Sequence, residues 1–391
     1  MKNNKVNLAV VGLGNMGVPH TRDIQTIENT QLVAVCDIKK ERADDIAYQY
    51  GIKAYYNYHD LLMDPDIDAI IIATPHYDHT PISITALKKG IHVLTEKPIA
   101  VHAKDAQKMI DAYTTSSMEF PDLVFAAMFQ QRTLGYWKKV KELIDTNELG
   151  KLVRTTWIIT KWFRTQAYYD NGTWRATWKG EGGGVLLNQC PHNLDLYQWI
   201  VGLPNKVSGF VKIGKYHNIE VEDEVTSYFE HENGMIGHFI TTTAESPGTD
   251  RLEIVGEKGK LVCENNQIIF FRNRESMLEI IKKSEKPFDK VENWRIEIPF
   301  IDDDKHPHRQ IIQNFVNTIQ QKASLIAPAV EGIKSVSLGN AILFSALKAQ
   351  PVSLPFDADA YEALLVDLIK QSDSKKSQGN EEIANINDSF H

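Results

Sequence analysis

A glycine-rich turn that directly follows an apolar strand constrains this chain more than any other feature of its sequence. Residues 6–11 (VNLAVV) are mostly apolar, and residues 12–17 (GLGNMG) have the spacing G-x-G-x-x-G. In a βαβ unit the first glycine permits a tight turn, the second lets the backbone approach a pyrophosphate, and the third lets a helix pack closely. A second apolar run, residues 32–36, ends on Asp37, about 20 residues beyond the last glycine, where such units carry a ribose-binding carboxylate. The sequence therefore predicts a dinucleotide-binding unit.

The residue at position 37 also bears on which dinucleotide binds. A carboxylate repels the 2′-phosphate of NADP, so Asp37 favours NAD. Lys39 and Lys40 follow directly and can compensate this charge, which keeps NADP open as the less favoured cofactor. The cofactor contacts that we predict extend beyond the turn to two later segments: Gly12, Gly14, Asn15, Met16, Gly17, Asp37, Thr74, Pro75, His79, Glu96 and Lys97.

Length, charge and cysteine content narrow the class of protein. A chain of 391 residues is too long for one core and predicts two domains. The net charge of −8 argues against nucleic acid and anionic membranes as partners, and no apolar run reaches the roughly 18 residues of a membrane-spanning helix. Cys36, Cys190 and Cys263 are isolated and show neither disulfide nor metal-ligand spacing. These features predict a cytoplasmic protein without a metal ion.

The pattern of strands and helices changes near residue 150. Before it, short apolar strands alternate with amphipathic helices, which is typical of a parallel sheet with crossover helices, and residues 114–119 indicate a polar surface loop. After it, hairpin turns separate longer strand-like runs, which predict a largely antiparallel sheet: residues 153–163, 207–213, 224–230, 235–243, 251–255 and 267–271. We therefore predict an α/β fold in three parts: a dinucleotide-binding domain at 1–129, an α+β domain with a large open-faced sheet at 130–371, and a polar tail at 372–391.

Lys97 is the first candidate for acid–base chemistry. It lies in the sequence Glu-Lys-Pro, residues 96–98, directly after an apolar strand, and ligands of open α/β sheets bind at the carboxyl ends of strands. An ordinary lysine has a pKa of about 10.4, which a nearby positive nicotinamide lowers. The sequence thus predicts that Lys97 faces both the cofactor and the substrate.

His192 is the second candidate, in a segment that begins with the glycines at 182–184. Its ordinary pKa of about 6.5 makes it a natural proton acceptor at neutral pH. On one continuous helix Asn188, His192 and Asp195 project from the same face, whereas Pro191 favours a helix that begins there and leaves Asn188 outside it. Asp195 either orients His192 or pairs elsewhere.

Together these segments resemble the Gfo/Idh/MocA family, the glucose–fructose oxidoreductase and inositol dehydrogenase group. The resemblance covers roughly residues 5–355 and rests on several segments: the glycine turn, Ala73-Thr74-Pro75, Glu96-Lys97-Pro98, the segment of His192 and the C-terminal helices. It implies a Rossmann domain followed by a domain whose open sheet forms the interface of a homodimer or homotetramer. It also implies that a secondary alcohol of a sugar or cyclitol is oxidised or reduced.

The chain departs from the family at one position of this segment. The family's helix commonly carries an aspartate where this chain has Asn188. An amide cannot act as a general base, so acid–base work is expected from His192 and Lys97, with Asn188 as a supporting member of the catalytic set.

Aromatic and arginine side chains cluster between residues 157 and 178. Flat aromatic faces stack on sugar rings, and arginines bind hydroxyl or carboxylate oxygens, so the cluster favours a carbohydrate-like ligand, including an acidic or a phosphorylated sugar. Any one of these residues can equally belong to the core or to an oligomer interface. We predict these substrate contacts: Trp162, Arg164, Tyr169, Trp174, Arg175, Asn188 and His192.

The function that these features favour is an NAD-dependent dehydrogenase acting on a sugar, sugar derivative or cyclitol. One alternative is a hydrolase or lyase of the same fold that uses tightly held NAD to cleave a glycosidic bond. The other is a non-catalytic NAD-sensing regulator. Free turnover of NADH distinguishes the dehydrogenase from the hydrolase, which retains its cofactor.

Overall fold

A computed structural model describes residues 5–171, 174–302 and 306–372, so the predicted tail lies almost wholly outside the described residues. Six strands form a first, entirely parallel sheet in the order β3-β2-β1-β4-β5-β6. They are β1 (Val6–Val11), β2 (Thr30–Cys36), β3 (Lys53–Tyr55), β4 (Ala69–Ile72), β5 (His92–Thr95) and β6 (Phe125–Ala127). The central strands are apolar on both faces because helices cover both.

Five helices connect these strands: α1 (Gly17–Gln25), α2 (Lys40–Tyr50), α3 (Tyr58–Leu61), α4 (His76–Leu87) and α5 (Ala103–Glu119). Strand order reverses between β1 and β4, so the carboxyl ends of these two strands open a crevice. Ligands of doubly wound sheets bind in such a crevice. The predicted Rossmann domain is confirmed.

Nine strands form a second sheet in the order β14-β13-β12-β11-β7-β10-β9-β8-β15. They are β7 (Leu152–Ile159), β8 (Lys206–Ile213), β9 (Glu222–Glu230), β10 (Ile236–Thr242), β11 (Asp250–Gly256), β12 (Gly259–Glu264), β13 (Gln267–Asn273), β14 (Asn293–Glu297) and β15 (Val352–Ser353). All neighbouring pairs are antiparallel except β7 and β10. The predicted, mostly antiparallel sheet is therefore confirmed.

Seven further helices belong to this part of the chain: α6 (Gly135–Asp145), α7 (Gln166–Asp170), α8 (Pro191–Val201), α9 (Met277–Lys283), α10 (Pro307–Ile319), α11 (Ala329–Lys348) and α12 (Ala358–Lys370). Helix α11 lies so close to β8 that a Cβ atom added at Gly209 would lie 2.2 Å from the carbonyl oxygen of Ile342. The opposite face of the sheet is open, and Phe210 of β8 is 67% exposed there.

Helix α10 packs on the first sheet although it follows the second in sequence. Its residues Ile312 and Phe315 are buried in the same core as β1 and β4, and the Ala127 N–H donates to the Ala327 carbonyl at 3.0 Å. The division of the chain at residue 129 stays a prediction, since both cores draw on the C-terminal segment.

Two local predictions are wrong. Residues 114–119 form the last turns of α5 and not a loop, since the hydroxyls of Thr114 and Ser117 donate to carbonyls one turn earlier in the helix. The run predicted as a strand to residue 163 ends at Ile159. Across the described residues, no helix has both the length and the apolar character needed to cross a membrane.

Candidate active site

The glycine turn between β1 and α1 is shaped by close backbone contacts. A Cβ atom added at Gly17 would lie 1.8 Å from the Gly12 carbonyl oxygen, and one added at Gly12, where φ is 89°, would lie 2.7 Å from the Ala73 carbonyl oxygen. A Cβ atom at Gly14 would meet no atom within 4 Å. Gly14 therefore keeps a space open at the amino end of α1, where phosphate groups bind helix N–H groups. The turn also carries two partly exposed residues, Asn15 and Met16.

Asp37, directly after β2, turns its buried carboxylate towards this glycine turn. Oδ2 accepts the Leu13 N–H and Oδ1 accepts the Lys39 N–H, both at 2.8 Å. Each oxygen keeps a second lone pair, so the carboxylate can accept ribose hydroxyls while it holds the turn. The turn and this acid fit the adenosine and pyrophosphate of NAD.

The loop after β4 carries three of the predicted cofactor residues. Thr74 Oγ1 is buried and has no hydrogen-bond partner in the described part of the chain, and Pro75 is exposed. The ring nitrogens of His79 lie 2.8 Å from the Pro98 carbonyl oxygen and 2.9 Å from that of Thr74. Burial lowers the pKa of His79. His79 thus holds the loops after β4 and β5 together, while the Thr74 hydroxyl is available to a ligand.

Glu96 and Lys97 follow β5 at the same edge of the sheet. Although burial opposes its charged form, a 2.8 Å contact with His20 Nε2 and positive charges nearby lower the pKa of Glu96 to about 2. Lys97 Nζ donates to the backbone carbonyl of Asn188 at 3.1 Å. Burial lowers the pKa of Lys97, and the negative charges of Glu96 and Glu181 oppose that effect. Lys97 therefore connects the first sheet to the segment before α8.

Helix α8 begins at Pro191, as the alternative reading of that proline predicted. The prediction that Asn188 shares a helical face with His192 and Asp195 is therefore wrong. Proline has no N–H to donate and favours the first turn of a helix. Asn188 lies in the preceding turn, where its N–H donates to the Gly184 carbonyl at 2.9 Å.

His192 is held through one of its two ring nitrogens. Nε2 lies 3.1 Å from the side-chain amide of Gln130, whereas Nδ1 is buried and finds no hydrogen-bond partner within the described residues. Burial, assisted by the positive charge of Lys97, lowers the pKa of His192 well below its usual range. The imidazole is therefore neutral at neutral pH, with one nitrogen left for a ligand.

Asp195 does not contact His192 and pairs elsewhere. Its Oδ1 and Oδ2 accept hydrogen bonds from Arg132 at 2.6 and 2.8 Å, and both side chains are almost completely buried. Such bidentate pairs fix geometry well. Burial raises the pKa of Asp195, although Arg132 opposes this. Asp195 therefore anchors α8 to the turn after β6.

The side chain of Asn188 is the centre of a small hydrogen-bond network. Its Oδ1 faces the Tyr168 hydroxyl at 3.3 Å and the Gln189 amide at 3.2 Å, and its Nδ2 donates to a carboxylate oxygen of Glu181. Glu181 is not among the site residues that the sequence predicts. The sequence does offer one signal. An acidic residue stands directly before the glycines at 182–184 and shortly before Asn188, which occupies the position where the family resemblance predicts an aspartate.

The aromatic and arginine cluster divides into a buried and an accessible part. Tyr168 lies between two guanidinium groups: the central carbons of Arg164 and Arg175 are 5.2 and 4.8 Å from its ring centre. Trp174 packs beside Arg175, with its ring centre 5.6 Å from that of His76. The two other predicted substrate residues are buried in the second core, where the Tyr169 hydroxyl donates to Thr243: Trp162 and Tyr169.

Family models match most of this architecture. Residues 6–119 match the model described as "Oxidoreductase family, NAD-binding Rossmann fold", and residues 137–262 match the "GFO/IDH/MocA C-terminal domain". These two ranges contain the glycine turn, Lys97, Asn188 and His192.

The chain is also similar to characterised dehydrogenases. It is 24% identical to a myo-inositol 2-dehydrogenase of Thermotoga maritima over 66% of this chain and 75% of that protein. It is 27% identical to a scyllo-inositol 2-dehydrogenase (NAD(+)) of Bacillus subtilis over 66% of this chain and 73% of the relative. The WlbA dehydrogenase of Chromobacterium violaceum, solved with NADH and UDP-GlcNAcA, superimposes with a TM-score of 0.77 at 26% identity, covering 91% of this chain and 98% of that one.

Proposed function

Since this chain belongs to the Gfo/Idh/MocA family of NAD-dependent oxidoreductases, we propose that it oxidises a secondary alcohol of a sugar, sugar derivative or cyclitol. The observation that carries the proposal is the meeting of Lys97, from the first sheet, with the segment of His192, from the second part of the chain. Lys97 lies at the carboxyl edge of the parallel sheet and its charge acts on His192, and ligands of such sheets bind at this edge.

His192 is the proton acceptor in this proposal. Its lowered pKa keeps it neutral at neutral pH. In the proposed reactive form the Gln130 amide is turned over, so that its oxygen, which is buried without a hydrogen-bond partner among the described residues, accepts the Nε2 proton of His192. Nδ1 is then the unprotonated nitrogen and accepts the proton of a substrate hydroxyl. Lys97 donates hydrogen bonds that hold the same oxygen, and burial favours release of its own proton. When bound, NAD supplies the acceptor for the hydride of the oxidised carbon.

The substrate that we propose carries a negatively charged group, a carboxylate or a phosphate. Arg164 and Arg175 flank Tyr168, and the Tyr168 hydroxyl reaches the Asn188 network beside Lys97. Two guanidinium groups on one aromatic ring favour an anion over a neutral hydroxyl. UDP-GlcNAcA, the ligand of the WlbA structure, is anionic, which agrees with this choice.

We also propose that the open face of the second sheet is covered by a second copy of the chain. Phe210 is 67% exposed on this face, where the rings of Tyr228 and His238 lie 5.6 Å apart. An exposed sheet face with aromatic side chains is typical of an oligomer interface. A homodimer or homotetramer satisfies this requirement.

A screen of purified protein with NAD tests the activity. Neutral and acidic sugars, sugar phosphates and inositols are offered in parallel, and the formation of NADH is followed by absorbance. We expect turnover with an anionic sugar. Arg175→Met should lower kcat/KM for this sugar, mainly by raising KM. Turnover of neutral cyclitols alone would contradict the anionic substrate. NAD that stays bound without net reduction would favour the glycoside-cleaving alternative.

A further inference from the structure

Glu181 is a buried acid whose contacts lead directly into the candidate active site. Glu181 is only 2% exposed. One carboxylate oxygen accepts the Ala176 N–H at 2.7 Å, and the other accepts the side-chain amide of Asn188. The backbone carbonyl of the same Asn188 accepts the hydrogen bond of Lys97. One asparagine therefore separates Glu181 from Lys97.

The Glu181 carboxylate is buried, so its charged form needs interactions that compensate the charge. Burial raises the pKa of Glu181, while the Ala176 N–H, the Asn188 amide, Arg175 and Lys97 favour its charged form. Buried charges without compensating interactions are strongly destabilising. Buried acids whose pKa is shifted both by burial and by specific charged neighbours are more frequent at functional sites than elsewhere.

We propose that Glu181 is a positioning residue whose carboxylate, directly before the glycines at 182–184, supplies the negative charge beside Lys97 that the family resemblance leads us to expect from an aspartate at position 188. Asn188 then serves as the hydrogen-bonded link that holds this carboxylate beside Lys97. The inference rests on the proposed role of Lys97.

The geometry permits an exchange of the two side chains. In the double variant E181Q/N188D the new amide donates to the new carboxylate, and the Gln oxygen still accepts the Ala176 N–H. The Tyr168 and Gln189 groups that now face Asn188 can donate equally to a carboxylate. The double variant therefore keeps the hydrogen bonds and the net charge, whereas each single variant changes the charge by one.

The effect of the Glu181 charge on the pKa of Lys97 can be measured without any substrate. Competitive labelling of lysines with acetic anhydride, read by mass spectrometry of the Lys97 peptide between about pH 6 and about pH 10, gives the apparent pKa of that amine. The titratable and charged groups that face Lys97, besides Glu181, are Glu96, Arg175, Cys190, His76, His192 and His308. Burial lowers the pKa of His76 to about 3 and that of His308 to about 4, so neither titrates in this range.

We expect E181Q to lower the apparent pKa of Lys97, with labelling at about pH 8 faster by about threefold to tenfold. Its kcat should fall about 10- to 100-fold, as expected for the loss of a charged hydrogen bond. The double variant should return both values towards those of the unmodified protein. Asp170→Asn, which removes an exposed acid of α7, is the matched control and should change neither value.

The outcomes separate the inference from the proposed activity. Labelling needs no turnover, so a negative substrate screen leaves this test intact. Unchanged labelling of Lys97 in E181Q, or a double variant no better than E181Q, would overturn the positioning role. If E181Q does not fold, the comparison of the double variant with N188D decides: N188D places two carboxylates in contact and should lose stability as the pH rises, and the double variant should not.

Discussion

In the proposed active site the glycine turn and the segment around the start of α8 form the two sides, and these are built by different means. The turn is shaped by backbone: Gly12 and Gly17 are required because any Cβ atom there would overlap a carbonyl. The segment around the start of α8 is shaped by contacts with distant parts of the sequence, among them Lys97 against Asn188 and Gln130 against His192. Short sequence patterns therefore predict the glycine turn, whereas the contacts around the start of α8 are seen only in the tertiary structure. The following experiments test whether the two sides also respond differently to substitution.

The largest effect is expected on the side built from side chains. His192→Ala removes the proposed proton acceptor and should lower kcat by about 10²- to 10⁴-fold. Gln130→Ala removes only the 3.1 Å contact to its ring and should cost about 0.5–1.5 kcal/mol, a few-fold in rate. NAD affinity, measured by fluorescence titration, should stay unchanged in both. Equal losses of kcat would mean that the proton is accepted elsewhere.

The second prediction concerns pH and the support of the same segment. Glu222 is fully buried and accepts the N–H groups of Gly184 and Leu186 at 2.8 and 3.0 Å. Burial raises its pKa to about 7, whereas an unfolded glutamate titrates near about 4.3. Its protonation therefore stabilises the fold fully below pH about 4.3, and this contribution is lost as the pH rises through about 7.

Glu222→Gln removes that titration. The fall in unfolding free energy between about pH 5 and about pH 8 should become smaller by up to about 3 kcal/mol. Denaturant unfolding at each pH measures it. Glu230→Gln, at the partly exposed end of the same strand, is the control and should keep the original slope. A slope that does not change in Glu222→Gln would show that this acid is charged in the folded protein.

The third prediction separates fold from ligand within the glycine turn. Gly17→Ala places a methyl group against the Gly12 carbonyl and should destabilise the protein by about 1–3 kcal/mol. Gly14→Ala meets no protein atom and should leave stability within about 0.5 kcal/mol of the unmodified protein. It should nevertheless weaken NAD binding by about tenfold, since the methyl group enters the phosphate space. Unfolding and NAD titrations on both variants suffice, and the reverse pattern would displace the cofactor from this turn.

The smallest effect on NAD binding is expected for Asp37, whose carboxylate accepts the Leu13 N–H of the turn. Asp37→Asn keeps the size of the side chain but removes its charge and one of the two hydrogen bonds to the N–H groups of Leu13 and Lys39. NAD affinity should therefore fall by about 0.5–1.5 kcal/mol, and its advantage over NADP should narrow. Asp45→Asn, an exposed acid of α2, is the control. Parallel titrations with both dinucleotides measure the ratio. An unmodified protein that prefers NADP would contradict the assignment of Asp37.

The sequence predicted those parts whose signal is local. The parallel sheet, the glycine turn and the antiparallel sheet follow from patterns a few residues long, and Pro191 marks the start of α8 by its missing N–H. The strand β14 was missed although its residues, NWRIE, alternate between polar and apolar, because the run is short, holds two charged residues and is mostly exposed. The loop expected at residues 114–119 is helical, and the hydroxyls of Thr114 and Ser117 are accommodated there because they donate to carbonyls one turn earlier in the helix.

The candidate site was predicted only in part for a different reason. Lys97 and His192 stand in recognisable segments, but their partners do not. Gln130 and Arg132 lie about sixty positions before the α8 residues that they contact, and no periodic pattern connects such distant positions. Glu181 is close to Asn188 in sequence, but its carboxylate is identified only by its burial and its hydrogen bonds.

Helix α10 completes the core of the first sheet, and this has a consequence for folding during synthesis. Ile312 and Phe315 complete the apolar core of the first sheet, and the Ala327 carbonyl accepts a hydrogen bond from Ala127 at the end of β6. On the ribosome, the nucleotide-binding half therefore emerges with an uncovered apolar surface, which closes only after residues 307–336 have been synthesised. A nascent chain interrupted before that point has every strand of its first sheet but an unfinished core, and it is a natural client for chaperones.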